Sequence, residues 1–333
     1  MSAPSTIYAL LDAARQALEM KNGATAQRLT GLVLAQHPEH LEARHLAAFA
    51  VYVQAFGDRP VPHFDATLLT LRPEAGYWHL SLAVTLNRTG LTELATLAFR
   101  TAALLDFHLM PGQRIGFGGP FNGQVLRIAG FRALARSGRL VELVETGTHR
   151  GTTTEFMARH VDCPVKTTES DPYYFESSRL RFEDLRQLGC PWVDNVHLYP
   201  LDSRSFLTEV LQQPVPEGGV SFFYLDAHCD YLGSRGDDEN PLVAEVRLIR
   251  PARRHCIILI DDCDVPDDPA YGNEEGNTVA ELTPLLASFD AWFFPQSSRH
   301  ETGAMRGSIV LSGSPETTAL LAGVPEFRLG GRG

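Results

Sequence analysis

The sequence predicts an α/β protein, a doubly wound and mostly parallel sheet preceded by an all-α helical region. Three observations carry this expectation. From Leu140 onward, short apolar runs alternate with helical patterns, the signature of strands joined by crossover helices. Glu145-Thr146-Gly147-Thr148-His149-Arg150-Gly151 sets a glycine turn between such a strand and the helix after it, where doubly wound domains hold their ligands. From Thr6 to about Phe107 the only periodicity is helical.

A chain of 333 residues accommodates two domains with sizeable cores. Its composition, 44% hydrophobic and 21% charged, is that of an ordinary globular protein. A net charge of −11 argues against nonspecific attraction to nucleic acid or an anionic membrane, so neither is expected as a partner. Met1-Ser2-Ala3-Pro4-Ser5 has neither the basic nor the apolar segment of a secretion signal. No apolar run approaches the roughly 18 residues of a spanning helix, and a cytoplasmic location is expected. Cysteines 163, 190, 229, 256 and 263 are odd in number and scattered, and read as reduced thiols without zinc-type spacing.

Within the helical region, apolar residues recur at i, i+3, i+4 spacing in Ile7–Leu18, Ala26–Leu34, Leu41–Val53 and Leu91–Leu105. Asn22-Gly23, Gly57-Asp58 and Thr89-Gly90 punctuate them as turns. Pro38 and Pro73 lie 35 residues apart, close to the tetratricopeptide period of about 34. Leu82, Ala83, Leu86, Gly90, Ala95, Phe99 and Ala102 occupy positions which that consensus fills with small or apolar residues. Residues 1–109 therefore resemble two to three tetratricopeptide-like hairpins. Such a region offers a groove for a peptide or protein partner, or a face for a homodimer; the plain alternative is a helical cap that buries its own core. Residues 110–139 follow as a glycine-rich linker or lid, Met110 to Gly119, and a helix over Phe121–Ala135.

In the domain expected over 140–333, strands are predicted at Leu140–Glu145, Val165–Glu169, Val196–Leu201, Val220–Asp226 and Cys256–Asp261. Helices follow them from Thr152 to about His160, and over Pro172–Leu188, Ser205–Gln212, Pro241–Ile249 and Val279–Phe289. Ala291–Phe294 and Ser308–Leu311 close the domain as two strands without a helix between them, which makes seven.

Each of the first five strands ends in an acid: Glu145, Glu169, Asp202, Asp226 and the pair Asp261-Asp262. In an open parallel sheet, ligands sit over the carboxyl ends of the strands. Glycine at 147 and 151 lets the backbone turn tightly and approach a ligand closely. Thr146, Thr148 and Thr152 flank that turn. Glu169, followed by Ser170, lies about 20 residues beyond the turn, where a carboxylate accepts from ribose hydroxyls. Asp202 with Ser203 stands where an adenine amino group could be held. Glu301 and Arg306, near the mouth of the sheet, are further candidates for substrate contact.

From about Leu140 to Gly313 the chain resembles the class I S-adenosylmethionine-dependent methyltransferases, a Rossmann-like fold with a seven-stranded sheet. The motifs are Val144 to Gly151, Thr168-Glu169-Ser170-Asp171, Leu201-Asp202-Ser203, Tyr224-Leu225-Asp226-Ala227-His228 and Ile260-Asp261-Asp262. Within the class it looks closest to the metal-dependent O-methyltransferases of the macrocin and catechol type. The resemblance implies S-adenosyl-L-methionine bound by Glu145, Thr146, Gly147, Thr148, Gly151, Thr152, Glu169, Ser170, Asp202, Ser203 and Asp226. It also implies Mg²⁺ on Asp226, Asp261 and Asp262, with Asp226 and His228 as catalytic residues. Macrocin-type enzymes follow the fourth strand with Asp-Gly-x-His, and in Asp226-Ala227-His228 the histidine comes one place earlier. The acceptor expected is a small polar molecule, sugar-like or a natural product, methylated on oxygen.

Three other readings stand beside this one. A metal-independent N-methyltransferase acting on an amino acid or peptide would keep Glu145, Gly147 and Glu169. A non-catalytic scaffold would retain only the cofactor. A nicotinamide-dependent oxidoreductase would need the second glycine of Gly-x-Gly-x-x-Gly, which is missing.

Overall fold

The computed structural model describes residues 4–72, 74–109, 118–227, 241–266, 268, 279–303 and 305–333. His228, Pro73, most of the glycine-rich stretch after Leu109 and part of the acidic loop after Asp262 lie outside the described residues. The chain forms two compact units, Met1–Gln113 and Arg114–Gly333.

The first unit contains α1 (Pro4–Glu19), α2 (Gly23–Leu34), α3 (Leu41–Phe56), α4 (Ala75–Arg88) and α5 (Thr92–Leu109), with a 3-10 turn at Ala66–Leu69. Asn22 ends the first turn and caps α2, its side chain accepting from the Thr25 N–H at 3.0 Å. Leu82, Ala83, Leu86, Ala95, Phe99 and Ala102 are all buried, so the small residues of α4 and α5 face the core. Between α3 and α4, Phe49 stacks on Trp78 with ring centroids 4.3 Å apart. His45 and His79, 34 residues apart, meet Nδ1 to Nε2 at 3.0 Å with no exposed surface. The His45 Nε2–H donates to the Leu68 carbonyl at 2.8 Å, which leaves Nδ1 to accept from the His79 Nε2–H. Burial lowers the pKa of both rings, which holds them neutral.

The second unit starts with a 3-10 turn at Pro120–Gly123 and α6 (Val125–Arg136). There follow β1 (Leu140–Thr146), α7 (Thr152–Ala158), β2 (Val165–Thr168), α8 (Pro172–Gln187), β3 (Val196–Tyr199), α9 (Ser203–Val210) and β4 (Val220–Leu225). The chain ends with α10 (Pro241–Ala252), β5 (Cys256–Asp261), α11 (Val279–Leu286), β6 (Ala291–Pro295), β7 (Ser308–Ser312), α12 (Pro315–Ala322) and β8 (Phe327–Arg332). The strand order is β3-β2-β1-β4-β5-β7-β6-β8. Strands β3 to β5 pair in parallel through β2, β1 and β4, while β7 runs antiparallel to both of its neighbours.

Both faces of the sheet are covered, which is why β4 and β5 read as continuous apolar runs. Leu143, Phe222, Leu259 and Val310 pack with Phe131 of α6, Met157 of α7 and Leu321 of α12. Val144, Phe223, Ile258 and Leu311 pack on the other face with Phe206 of α9, Val246 of α10 and Leu282 of α11. Among the described residues the sheet has eight strands, one more than the sequence predicts. The extra strand, β8, pairs antiparallel with β6 at the sheet edge. Its Gly330-Gly331 pair carries no side-chain alternation, and a Cβ at Gly331 would lie 2.2 Å from the Trp292 ring. This strand is defined by what it packs against rather than by its own pattern. No described helix is long and apolar enough to cross a membrane.

Candidate functional site

The chain moves outward from β1 to β2 and β3, then crosses back to β4, so the sheet changes direction between β1 and β4. Ligand crevices of open α/β sheets lie at such a point. Gly147 turns there with φ +83°, and a Cβ on it would stand 2.5 Å from the Asp226 carbonyl oxygen. Both the backbone angle and the contact exclude a side chain. The N–H groups of Gly147 and Thr148 donate to the Thr168 carbonyl at 3.1 and 3.0 Å, and Asp226 N–H donates to the Thr146 carbonyl at 3.0 Å. One turn thus ties the ends of β1, β2 and β4 together. Gly151, with φ +70°, ends it and begins α7.

Glu145 is buried beneath this turn. Its Oε2 accepts from the Thr154 hydroxyl and from Thr167 Oγ1 at 2.7 Å, while Oε1 has no hydrogen-bond partner among the described residues. Burial pushes its pKa up to about 7 against the pull of the two hydroxyls. Thr148 Oγ1 shares a hydrogen bond of 2.5 Å with Thr167 Oγ1. Thr146 Oγ1 donates at 3.2 Å to Glu245, a fully buried acid on α10. The buried Thr152 hydroxyl has no partner among the described residues.

Glu169 follows β2 beside the turn. Its Oε2 accepts from the His149 N–H at 2.7 Å and its Oε1 from the Asp171 N–H at 2.9 Å. The Ser170 backbone N–H also acts on this carboxylate. Burial raises this carboxyl also to about 7. The His149 ring lies 4.2 Å from the Tyr174 ring, and burial lowers its pKa to about 4, so it is neutral. Ser170 is exposed next to Glu169. Asp202 caps α9, accepting from the N–H groups of Arg204 and Ser205 at 3.1 and 3.0 Å, with Ser203 as the first helical residue. The expected adenine contact at Asp202 and Ser203 would have to share that capping carboxylate.

Asp226 and Asp261 are bridged by Tyr224, whose hydroxyl lies 3.1 Å from Asp226 Oδ2 and also hydrogen-bonds Asp261 Oδ2. Burial and the two carboxylates push the Tyr224 hydroxyl well above its ordinary pKa. Asp261 Oδ2 also accepts from Asn122 Nδ2 at 3.2 Å and forms an ion pair with Arg127 Nη1 at 2.7 Å. Both partners of that pair have 0% side-chain exposure. Asp261 Oδ1 accepts from the Asp262 N–H at 2.9 Å. The chain then turns at Asp262 with φ +51°, and its Oδ1 faces Arg306 Nε at 3.8 Å.

The expected Mg²⁺ ligands Asp226, Asp261 and Asp262 lie at the ends of β4 and β5 and just beyond them. Among the described residues, no group of three or more His, Cys, Asp or Glu side chains is placed to hold a metal ion. Asp261, the central acid, is engaged by a guanidinium, a phenol, an amide and a backbone N–H. Glu301 is likewise drawn into structure, accepting from the Val125 N–H at 2.6 Å at the start of α6. Arg127, Asn122 and Glu245 were not legible as site residues. A signal for Arg127 existed: it falls on the stripe of Phe131 and Leu134, where a charge demands a buried partner.

No family model matches the chain, and no curated protein matches its sequence. Solved structures resemble it in part. A Klebsiella pneumoniae protein assigned as an O-methyltransferase shares 18% identity over 59% of this chain and 83% of its own, with a TM-score of 0.40. The O-methyltransferase TomG from Streptomyces achromogenes, involved in tomaymycin synthesis and solved with S-adenosylmethionine, shares 18% over 56% and 80%, with a TM-score of 0.37. An O-methyltransferase from Bacillus cereus, solved with S-adenosylhomocysteine, shares 16% over 56% and 80%, with a TM-score of 0.39.

Proposed function

We propose that the second unit binds S-adenosylmethionine at the β1/β4 crevice and transfers its methyl group to an oxygen of a small polar acceptor. The observation that carries this reading is the backbone contact of Gly147 with Asp226, which ties the ends of β1 and β4 together and admits no side chain at position 147. The residues present suit the cofactor. Glu169 is pre-set by the N–H groups of His149 and Asp171 and lies where a carboxylate accepts from ribose hydroxyls. The unpartnered Glu145 Oε1 and Thr152 Oγ1 are polar atoms that a bound polar ligand, or a water it orders, could satisfy.

When bound, S-adenosylmethionine would supply an electrophilic methyl group whose bonding pair would stay on sulfur. The protein's part is to orient the acceptor and take its proton. We assign that role to Asp226, half-buried just beyond β4 and hydrogen-bonded by the Tyr224 hydroxyl. A nitrogen acceptor is the second reading. It is favoured by the pairing of Asp261 with Arg127, because an amine needs no Lewis acid to become nucleophilic.

Calorimetric titration with S-adenosylmethionine and S-adenosylhomocysteine, with NADH as control, tests the reading. Micromolar binding of the sulfur pair, lost in Glu169→Ala, is expected. Binding of NADH, or of none of the three, would overturn it.

A further inference from the structure

We infer that Arg127 is a built-in cation standing where a divalent ion would otherwise meet the acids after β4 and β5, so that the site holds no metal. The inference rests on side-chain geometry and not on the identity of the cofactor.

Mg²⁺ requires oxygen ligands that are reachable by water, and usually retains several of its own waters. Asp261 is poorly placed for this. Its Oδ2 is shared among Arg127, Asn122 and Tyr224, its Oδ1 accepts from the Asp262 N–H, and its side chain is fully buried away from water. Among the described residues, Arg127 against Asp261 and Arg306 beside Asp262 offset two of the three carboxylates at Asp226, Asp261 and Asp262.

The guanidinium is fixed as well as close. Arg127 Nη2 donates to the Arg306 carbonyl at 2.8 Å, and Gln124 Nε2 donates to the same oxygen at 2.6 Å. Arginine keeps its charge when buried, whereas lysine sheds its own more readily. Burial opposes the Arg127 charge, but the neighbouring Asp261 more than compensates, raising its pKa. Arg127 is thus a positioning residue: it holds Asp261, Asp261 holds the Tyr224 hydroxyl, and Tyr224 orients Asp226 in the crevice.

The test is titration of the full chain with Mn²⁺, following free ion by electron paramagnetic resonance, and with Mg²⁺ by calorimetry. Wild-type protein is expected to bind neither at submillimolar concentration. Arg127→Met, which keeps the bulk and removes the charge, should bind Mn²⁺ at least tenfold more tightly than wild type, and Arg127→Lys should not. Stoichiometric submillimolar Mn²⁺ binding by the wild type, abolished by Asp261→Asn, would overturn the inference, as would a folded Arg127→Met that gains no affinity. If Arg127→Met does not fold, the wild-type titration decides. Failure of the S-adenosylmethionine titration would sink the methyltransferase reading and leave this result standing.

Discussion

Gly147 and Asp226 meet backbone to backbone across the β1/β4 junction, so close that a Cβ on residue 147 would lie 2.5 Å from the Asp226 carbonyl oxygen. Alanine at 147 would have to adopt φ near +83° and also push β4 away. The left-handed backbone costs about 1–2 kcal/mol and the overpacking about 1–3 kcal/mol more. Gly147→Ala should therefore lose roughly 2–5 kcal/mol in urea denaturation. It should also weaken S-adenosylmethionine binding at least tenfold in calorimetry. Retention of both properties would show that the junction tolerates a side chain.

Glu145 makes stability depend on pH in an unusual direction. Its pKa is raised by burial to about 7, so the folded state binds a proton that the unfolded chain releases near 4.5. The stabilisation this proton supplies is complete below about 4.5 and is lost as pH rises through about 7. Its full extent is about 3 kcal/mol. Glu145→Gln, a neutral mimic, should flatten that part of the profile. Equal slopes for wild type and variant in denaturation between these limits would refute the assignment.

Glu142 provides a control at the opposite end of β1. Its carboxylate takes Lys166 Nζ at 3.0 Å, Ser221 Oγ at 2.8 Å and Arg253 Nε at 2.7 Å, all buried. Arg253 also closes α9 by donating to the carbonyls of Leu211 and Gln213 at 3.0 and 2.8 Å. Glu142→Ala leaves two cations buried and unpaired, and should cost about 3–5 kcal/mol. Cofactor affinity of the folded fraction should stay within about twofold, because among the described residues the network's partners Lys166, Ser221 and Arg253 lie away from the Gly147 turn. A large loss of affinity without destabilisation would contradict the separation of the two ends.

In the helical unit, the His45–His79 pair predicts acid sensitivity. Burial lowers His45 to about 4 and His79 well below its ordinary value. Stability from the neutral pair is present above about 6.5 and falls as pH drops towards 4, by roughly 3 kcal/mol for His45. Unfolding of the full chain followed by circular dichroism should show this loss, and the His45→Gln/His79→Gln double variant should lack it.

How much of this was legible in the sequence depended on how local each cause is. The acid-terminated strands and the glycine turn could be read because apolar runs, φ freedom and strand length are properties of neighbouring residues. Glu145, Glu169, Asp226 and Asp261 accordingly lie at the strand ends where the pattern places them. The helix over Pro315–Ala322 did have a local signal, Ser314 before Pro315 with Thr317 closing a capping box, but it lay beyond the motifs that drew the domain's outline.

The sequence by itself determined the alternation of strand and helix, the helical first region and the glycine turn at the ligand end of β1. Tertiary structure alone decided that β8 joins the sheet, that Glu301 caps α6 and that Arg127 meets Asp261. Periodicity and backbone preference act between residues a few positions apart, and any stretch of chain displays them. Charge compensation acts through space at a few ångströms in a medium that excludes water, so Arg127 and Asp261 acquire their roles only once α6 is laid against the sheet.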